Sequence, residues 1–194
     1  MPGAGRAVRS ALCAVTALTA VCGLWPVAGA SADPTSPLTA LVDTAAQRLA
    51  VAEPVAANKW HTGGPITDPA RAQQVLDQVA ADAAARGIDA ERVRRIFTDQ
   101  IDATEAIEYS RFAQWKLDPV AAPAHSPDLA ASRATIDGFN RTMVAELATH
   151  WTLLRSPDCA ARLGEARTGV GDARGLDAMY RQALDAATRS YCDR

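Results

Sequence analysis

The sequence is poor in the residue patterns that define metal, nucleic-acid and β-sheet proteins. It has only three histidines, His61, His125 and His150, and their spacing does not match a set of metal ligands. Acidic residues outnumber basic residues by 22 to 20, so no cationic surplus is present to attract nucleic acid or an anionic membrane. Alternation of apolar and polar residues, which is typical of half-buried strands, is also missing. These absences favour an all-α protein without a metal.

The first 32 residues contain no acidic residue, and their order is typical of a secretory signal. Arg6 and Arg9 precede an apolar run over residues 11–24, and the small-residue triplet Ala30-Ser31-Ala32 follows. We therefore expect a signal peptide over residues 1–32, cleaved after Ala32, and a secreted or periplasmic domain over residues 33–194.

Two alternatives to cleavage depend on the same segment. A membrane anchor is disfavoured because the apolar run is shorter than the about 20 residues that a spanning helix needs. A lipoprotein could use Cys22, but Thr19-Ala20-Val21 ahead of it lacks the leucine and the small residue that usually precede a lipidated cysteine.

Cysteine usage fits an exported protein. Cys13 and Cys22 leave with the signal, so Cys159 and Cys192 are the pair that remains in an oxidising compartment. An even pair there predicts a disulfide, with two free buried thiols as the alternative. Two sulfurs without a nearby histidine make only half of a zinc site.

Helical periodicity predicts a single all-α domain of about six helices over residues 33–194. Pro54 should bend or split the first helix, Thr67 should cap the second, and Gly169, Gly171 and Gly175 should interrupt the fifth. The predicted helices cover residues 38–60, residues 68–86, a segment from the Asp89 cap to Leu117, a segment from Ser126-Pro127-Asp128 to about Leu154, a segment after Ser156-Pro157-Asp158, and residues 176–191.

A few charged residues stand among apolar neighbours. At about 100° per residue, Arg48 and Lys59 share one helix face, unless Pro54 twists the helix between them. Such a pair alone most often marks a solvated face. Asp68 and Arg71 stand three apart and would form a local ion pair at a helix start.

Three further residues have equally ordinary interpretations. Thr104 and Glu108 stand four apart on one helix face, where Thr104 could simply bond the preceding turn. Arg133 lies among alanines near the start of a later helix, where an exposed arginine is common.

Together these residues resemble a known active-site pattern. The order Arg48, Lys59, Asp68, Arg71, Thr104 and Glu108 resembles that of the all-helical chorismate mutases. Residues 103–112, residues 115–117 and the two late cysteines resemble the secreted gamma class of that family. The resemblance extends over essentially all of residues 33–194.

The resemblance implies a reaction without cofactor or metal, the rearrangement of chorismate to prephenate, and a homodimer. Lys59 and Glu108 would act at the ether oxygen of the substrate, and Glu108 must be protonated to donate there. The resemblance also implies five substrate-binding residues. Arg48 and Arg133 would bind the carboxylates in a forked geometry, with help from Arg71. Thr104 would hydrogen-bond a carboxylate, and Asp68 would orient Arg71.

Departures from the family leave two questions open. Ala72 stands where cytosolic members often have glutamate, so Glu105 or Gln74 would have to hold the substrate hydroxyl. The first helix has no basic residue before Arg48, so Arg133 of the same chain should complete the site. The alternative function is a secreted helical protein without catalytic activity that binds an aromatic acid or a protein partner.

Overall fold

The chain folds into an all-α bundle in a computed structural model that describes residues 35–192. The all-α prediction is confirmed, and no strand occurs within those residues. The predicted signal peptide, residues 1–32, lies outside the described residues. The helices are α1 (Thr39–Ala50), α2 (Ala52–Thr62), α3 (Pro69–Ala85), α4 (Ala90–Leu117), α5 (Leu129–Thr149), the single turn α6 (Trp151–Leu154), α7 (Cys159–Ala173) and α8 (Ala178–Ala187), with a short 3-10 turn at Pro119–Ala121.

Pro54 splits the first predicted helix into α1 and α2. Its ring nitrogen has no hydrogen to donate to the carbonyl of Ala50, four residues earlier, and α1 ends at that residue. Val51 keeps helical dihedrals between the two helices, and Pro54 lies in the first turn of α2, where a missing donor costs little. Arg48 and Lys59 therefore lie on separate, consecutive helices.

The start of α3 differs from the prediction by one residue. Asp68 is the N-cap, because its Oδ1 accepts from the backbone N–H of Arg71 at 3.0 Å and Pro69 occupies the first helical position. Thr67, the predicted cap, instead places its hydroxyl 3.0 Å from a carboxylate oxygen of Glu105. The predicted Asp89 cap of α4 is present, with Oδ1 accepting from the N–H of Arg92 at 3.0 Å.

Two predictions in the second half of the chain are wrong. The fourth predicted helix does not run unbroken to Leu154, because α5 ends at Thr149 and α6 follows as a separate turn. Gly169 and Gly171 lie inside α7 and do not interrupt it. At Gly171 a side chain would place its Cβ 2.5 Å from a guanidinium nitrogen of Arg181, so glycine allows that contact. Gly175, at φ +59°, follows the end of α7 as expected.

The bundle is organised around α1. This helix packs against α4, α5, α7 and α8, and its apolar side chains Leu41, Val42 and Leu49 are buried. The longest helix, α4, also packs against α2, α3 and α8. A disulfide joins Cys159, at the start of α7, to Cys192, which follows α8. Among residues 35–192, no helix has the length and apolar character needed to cross a membrane.

Candidate active site

All seven residues that the sequence singled out for substrate binding and catalysis lie around one pocket between α1, α2, α3, α4 and α5. The pocket encloses about 590 Å³, part of it open to solvent. Its polar lining includes Arg48, Lys59, Asp68, Arg71, Thr104, Glu108 and Arg133, and its apolar lining includes Val55, Ile66, Val75, Ile101, Leu129 and Ile136. Arg133 and Lys59 of one chain thus border the same pocket.

Lys59 and Glu108 meet across this pocket. Lys59 Nζ donates to Glu108 Oε2 at 2.7 Å and to the backbone carbonyl of Ile66 at 2.7 Å. The Ile66 carbonyl belongs to the loop between α2 and α3, and the left-handed glycine Gly63, at φ +69°, ends α2 where that loop begins. The ammonium group is therefore held from two sides at the pocket wall.

The carboxyl group of Glu108 titrates at a higher pH than an ordinary glutamate. Burial raises its pKa because the charged form loses water, while the hydrogen bond and charge of Lys59 lower the pKa and the nearby carboxylate of Glu105 raises it. The net shift is upward. The protonated form, which can donate a hydrogen bond, therefore persists to higher pH than it would in water.

Arg48 is buried at 3 % exposure and held by side chains from two helices. Its Nε donates to Asn140 Oδ1 at 2.8 Å, and its Nη1 donates to Thr104 Oγ1 at 3.0 Å. Within residues 35–192, Nη2 makes no hydrogen bond. Burial lowers the pKa of Arg48 to about 10, so the guanidinium stays charged at neutral pH.

These contacts limit which nitrogens Arg48 can use in the expected forked contact, which stays a prediction. A fork uses two guanidinium nitrogens, but Nε and Nη1 are already donating to protein oxygens. A fork to a ligand carboxylate would combine Nη2 with the second hydrogen of Nη1, whose contacts with Gln100 are long at 3.4 and 3.5 Å.

The expected ion pair between the side chains of Asp68 and Arg71 does not form. Asp68 Oδ2 accepts from Arg133 Nη2 at 3.2 Å, so Asp68 holds Arg133 and touches Arg71 only at its backbone N–H. The guanidinium of Arg71 instead donates to Asp137 Oδ1 at 2.6 Å and to Gln74 Oε1 at 2.9 Å. The N-cap geometry decides this, because it turns the Asp68 carboxylate toward the helix backbone.

The Thr104 hydroxyl makes two hydrogen bonds within the protein. It donates to the backbone carbonyl of Gln100 at 2.7 Å, as threonines in helices commonly do, and it accepts from Arg48. Its single hydrogen is engaged by the Gln100 carbonyl, and the expected contact with a substrate carboxylate stays a prediction.

Three polar residues near the arginines were missed by the sequence analysis. Asp137 and Asn140 follow Arg133 on α5 at helical spacings of four and seven, and that spacing was the available signal. Gln100 lies four residues before Thr104 on α4 and is fully buried, with its side-chain oxygen 3.5 Å from Arg48 Nη1.

The pocket can bind a small dianion with an apolar body. Four cationic side chains border it, Arg48, Lys59, Arg71 and Arg133, together with three carboxyl groups of Asp68, Glu105 and Glu108. Aliphatic side chains line the rest and would exclude water from the ligand. Among the described residues, no cluster of His, Cys, Asp and Glu is arranged to hold a metal ion.

Comparison with known proteins shows which family this chain resembles. Residues 39–109 match the family described as chorismate mutase type II. A secreted chorismate mutase of Mycolicibacterium smegmatis is 52% identical over 179 residues, which cover 92% of this chain and 98% of that protein. A secreted chorismate mutase of Mycobacterium tuberculosis is 52% identical over 163 residues, 84% of this chain and 82% of that protein.

A solved structure shows the same fold. The crystal structure of chorismate mutase from Burkholderia thailandensis aligns with a TM-score of 0.77 and 36% identity, and the alignment covers 81% of this chain and 99% of that chain. The helical bundle, its cationic pocket and these relatives together define an all-helical mutase, which is an isomerase. The chain belongs to the chorismate mutase family. It is a secreted member of that family.

Proposed function

We propose that the pocket between α1, α2, α3, α4 and α5 is where this chain converts chorismate to prephenate, and that its polar lining residues carry the reaction. In this rearrangement the ether C–O bond of the substrate breaks while a C–C bond forms within the same molecule. No group is transferred to the protein. The enzyme therefore has to supply a shaped site and charges fixed where charge develops.

The observation that carries the proposal is the position of Lys59. Its ammonium group lies at the wall of a largely apolar pocket and is held by Glu108 and by the Ile66 carbonyl. Negative charge grows on the ether oxygen as the C–O bond lengthens, so a fixed cation there binds the transition state more strongly than the ground state. That difference lowers the barrier.

Glu108 shares this oxygen in our mechanism. A carboxylate cannot donate a hydrogen bond, so Glu108 acts in its protonated form. The raised pKa of Glu108 supports this role, because burial favours the neutral acid. In the complex the Glu108 proton and the Lys59 ammonium would both face the ether oxygen.

The arginines bind the two carboxylates of the substrate. Arg48 borders the pocket and its Nη2 makes no hydrogen bond within residues 35–192, and Arg133 and Arg71 border the same space. Because the Thr104 hydroxyl already donates to Gln100, we assign Thr104 to holding Arg48 in place of direct contact with a carboxylate. Asp68 has the matching task for Arg133.

Glu105 is our candidate for the substrate hydroxyl. Its carboxylate lines the pocket and receives only a bond from Thr67 at 3.0 Å within the described chain, so it retains acceptor capacity. Gln74 does not line the pocket and uses its Oε1 to hold Arg71. Of the two residues considered from the sequence, Glu105 is therefore the better placed.

The proposal is tested by following the ultraviolet absorbance of chorismate with purified protein. We expect the absorbance to fall in the presence of residues 33–194 and prephenate to accumulate, with Lys59→Ala as the matched control that leaves the arginines intact. Chorismate that binds but is never converted would instead support the alternative of a binding protein without catalytic activity.

A homodimer is part of the proposal on the strength of the family resemblance. Since Arg133 and Lys59 of one chain border one pocket, each subunit would hold a complete site. Sedimentation equilibrium should give twice the mass of residues 33–194. A monomer with full turnover would remove dimerisation from the proposal without affecting the assignment of the site.

A further inference from the structure

One face of α5 carries Arg133 and contacts the other two arginines of the pocket, Arg71 and Arg48. Arg133, Asp137 and Asn140 are spaced by four and three residues, so their side chains leave the helix on the same side. Arg133 itself borders the pocket. Asp137 accepts from Arg71 Nη2 at 2.6 Å, and Asn140 accepts from Arg48 Nε at 2.8 Å.

Asn140 fixes the direction in which Arg48 points. The Nε–H of Arg48 is a donor, so it requires the amide oxygen of Asn140 and thereby sets the amide orientation. On the opposite side Thr104 holds Nη1 at 3.0 Å, whereas the two contacts with Gln100 are longer, at 3.4 and 3.5 Å. Asn140 and Thr104 together hold the plane of the guanidinium at the pocket and leave Nη2 without a partner among residues 35–192.

Asp137 does the same for Arg71. Its Oδ1 accepts from Arg71 Nη2, while Gln74 on Arg71's own helix α3 accepts from Nη1 at 2.9 Å, so the guanidinium is held by one residue of α3 and one of the neighbouring helix α5. The pair is a charge-assisted hydrogen bond between partly buried side chains, with 19% and 26% of the side chains exposed. Such a bond orders a long side chain that otherwise has many rotamers.

Apolar side chains further along α5 hold the helix in place. Met143, Val144 and Leu147, all fully buried, fix the helix against the core. We infer that Asp137 and Asn140 are positioning residues of the proposed mutase site: they do not touch the substrate but aim Arg71 and Arg48 at its carboxylates. This inference rests on the function proposed above.

The first test compares Asn140→Ala and Asp137→Ala with Val144→Ala, which removes buried apolar atoms one turn beyond Asn140. We expect each polar variant to lose about ten- to a hundredfold in kcat/KM, the usual effect of one hydrogen bond to a charged group. Asn140→Asp and Asp137→Asn retain an acceptor and should recover most of that loss. Val144→Ala should lower the melting temperature and leave KM unchanged.

The decisive test is a double-mutant cycle. If Asn140 acts only through Arg48, Asn140→Ala should have little further effect on kcat/KM in an Arg48→Ala background, and Asp137→Ala little further effect in an Arg71→Ala background. If the two residues had a merely structural role, each substitution would lower kcat/KM by the same factor in the wild type and in the arginine variant. That result would overturn the inference.

Other results of these experiments would overturn the inference, with or without the proposed function. Normal kcat and KM in both alanine variants, with an active wild type, would overturn the inference and leave the proposed function standing. A wild-type protein that does not convert chorismate would overturn both. If Asn140→Ala fails to fold, the cycle of Asp137 with Arg71 decides alone, because Asp137 is partly exposed and its removal leaves no deep cavity.

Discussion

Lys59 Nζ lies 2.7 Å from Glu108 Oε2, and the pair joins α2 to α4 at the wall of the pocket. The two side chains are 12% and 3% exposed, so the contact is shielded from water. Lys59 also donates to the Ile66 carbonyl, which leaves one of its three hydrogens for a ligand. The pair thus presents a cation whose position is fixed before substrate arrives.

The pH dependence of turnover should report the protonation of Glu108. Burial raises the pKa of this carboxyl group, and only the protonated form donates to the ether oxygen, so turnover should fall as pH rises through that pKa. Glu108→Gln supplies a permanent donor of nearly the same shape. The Gln variant should keep substantial activity and show no alkaline decline in a kcat profile measured from pH 5 to 9.

The matched control is Glu108→Ala, which should be poor at every pH because the donor is absent. The turnover of the wild-type protein would stay constant up to pH 8 if substrate binding moves the pKa of Glu108 above that pH. An inactive, folded Gln variant that still binds substrate at pH 8 or above would show that Glu108 acts as a carboxylate, and the assignment would fall.

Removing the cation should be costly for turnover. Lys59→Ala deletes the donor aimed at developing charge, and we expect a loss of about 10²–10³ in kcat by analogy with an oxyanion-hole donor. The same variant leaves Glu108 buried without its cation. Steady-state kinetics alongside circular dichroism would check this, and near-normal turnover in a folded variant would remove Lys59 from the mechanism.

Lysine should not replace Arg48. The guanidinium uses Nε for Asn140 and Nη1 for Thr104 and leaves Nη2 for a ligand, and one ammonium group cannot occupy three such positions. Arg48→Lys should therefore lower kcat/KM by at least about tenfold, corresponding to one lost charged hydrogen bond. Unchanged kinetics would mean that Arg48 serves only the fold.

The disulfide should act on stability and not on turnover. It closes the chain between Cys159 and Cys192, 33 residues apart, and chain-entropy arguments give about 3 to 4 kcal/mol for such a loop. Cys159→Ser combined with Cys192→Ser should lower the melting temperature and leave turnover near normal at 25 °C. The bond from Arg92 Nη2 to the Tyr191 carbonyl, at 2.6 Å, still holds the end of the chain.

A collapse of turnover in the folded double-serine variant would contradict this prediction. Wild-type protein treated with a reductant is a second control, since it loses the same bond without any change of sequence.

Local features of the fold were predictable because they depend on neighbours in the chain. Asp89 caps α4, and Pro54 separates α1 from α2, since a cap or a missing donor acts within one turn. The glycines of α7 were misjudged because helix propensity is weak compared with tertiary packing. Burial of α7 against α1 and the close approach of Arg181 to Gly171 outweigh the cost of about 1 kcal/mol for each helical glycine.

The sequence by itself determined the all-α class, because helical spacing is written along the chain, and its resemblance to the chorismate mutases implied the seven site residues. All seven border the pocket. Only the tertiary structure decided how those residues pair. Arg71 is held by Asp137 and not by Asp68, and Arg48 by Asn140, because these partners lie 66 and 92 residues away in sequence. Hydrogen bonds across such separations depend on how helices pack, and no local pattern specifies that packing.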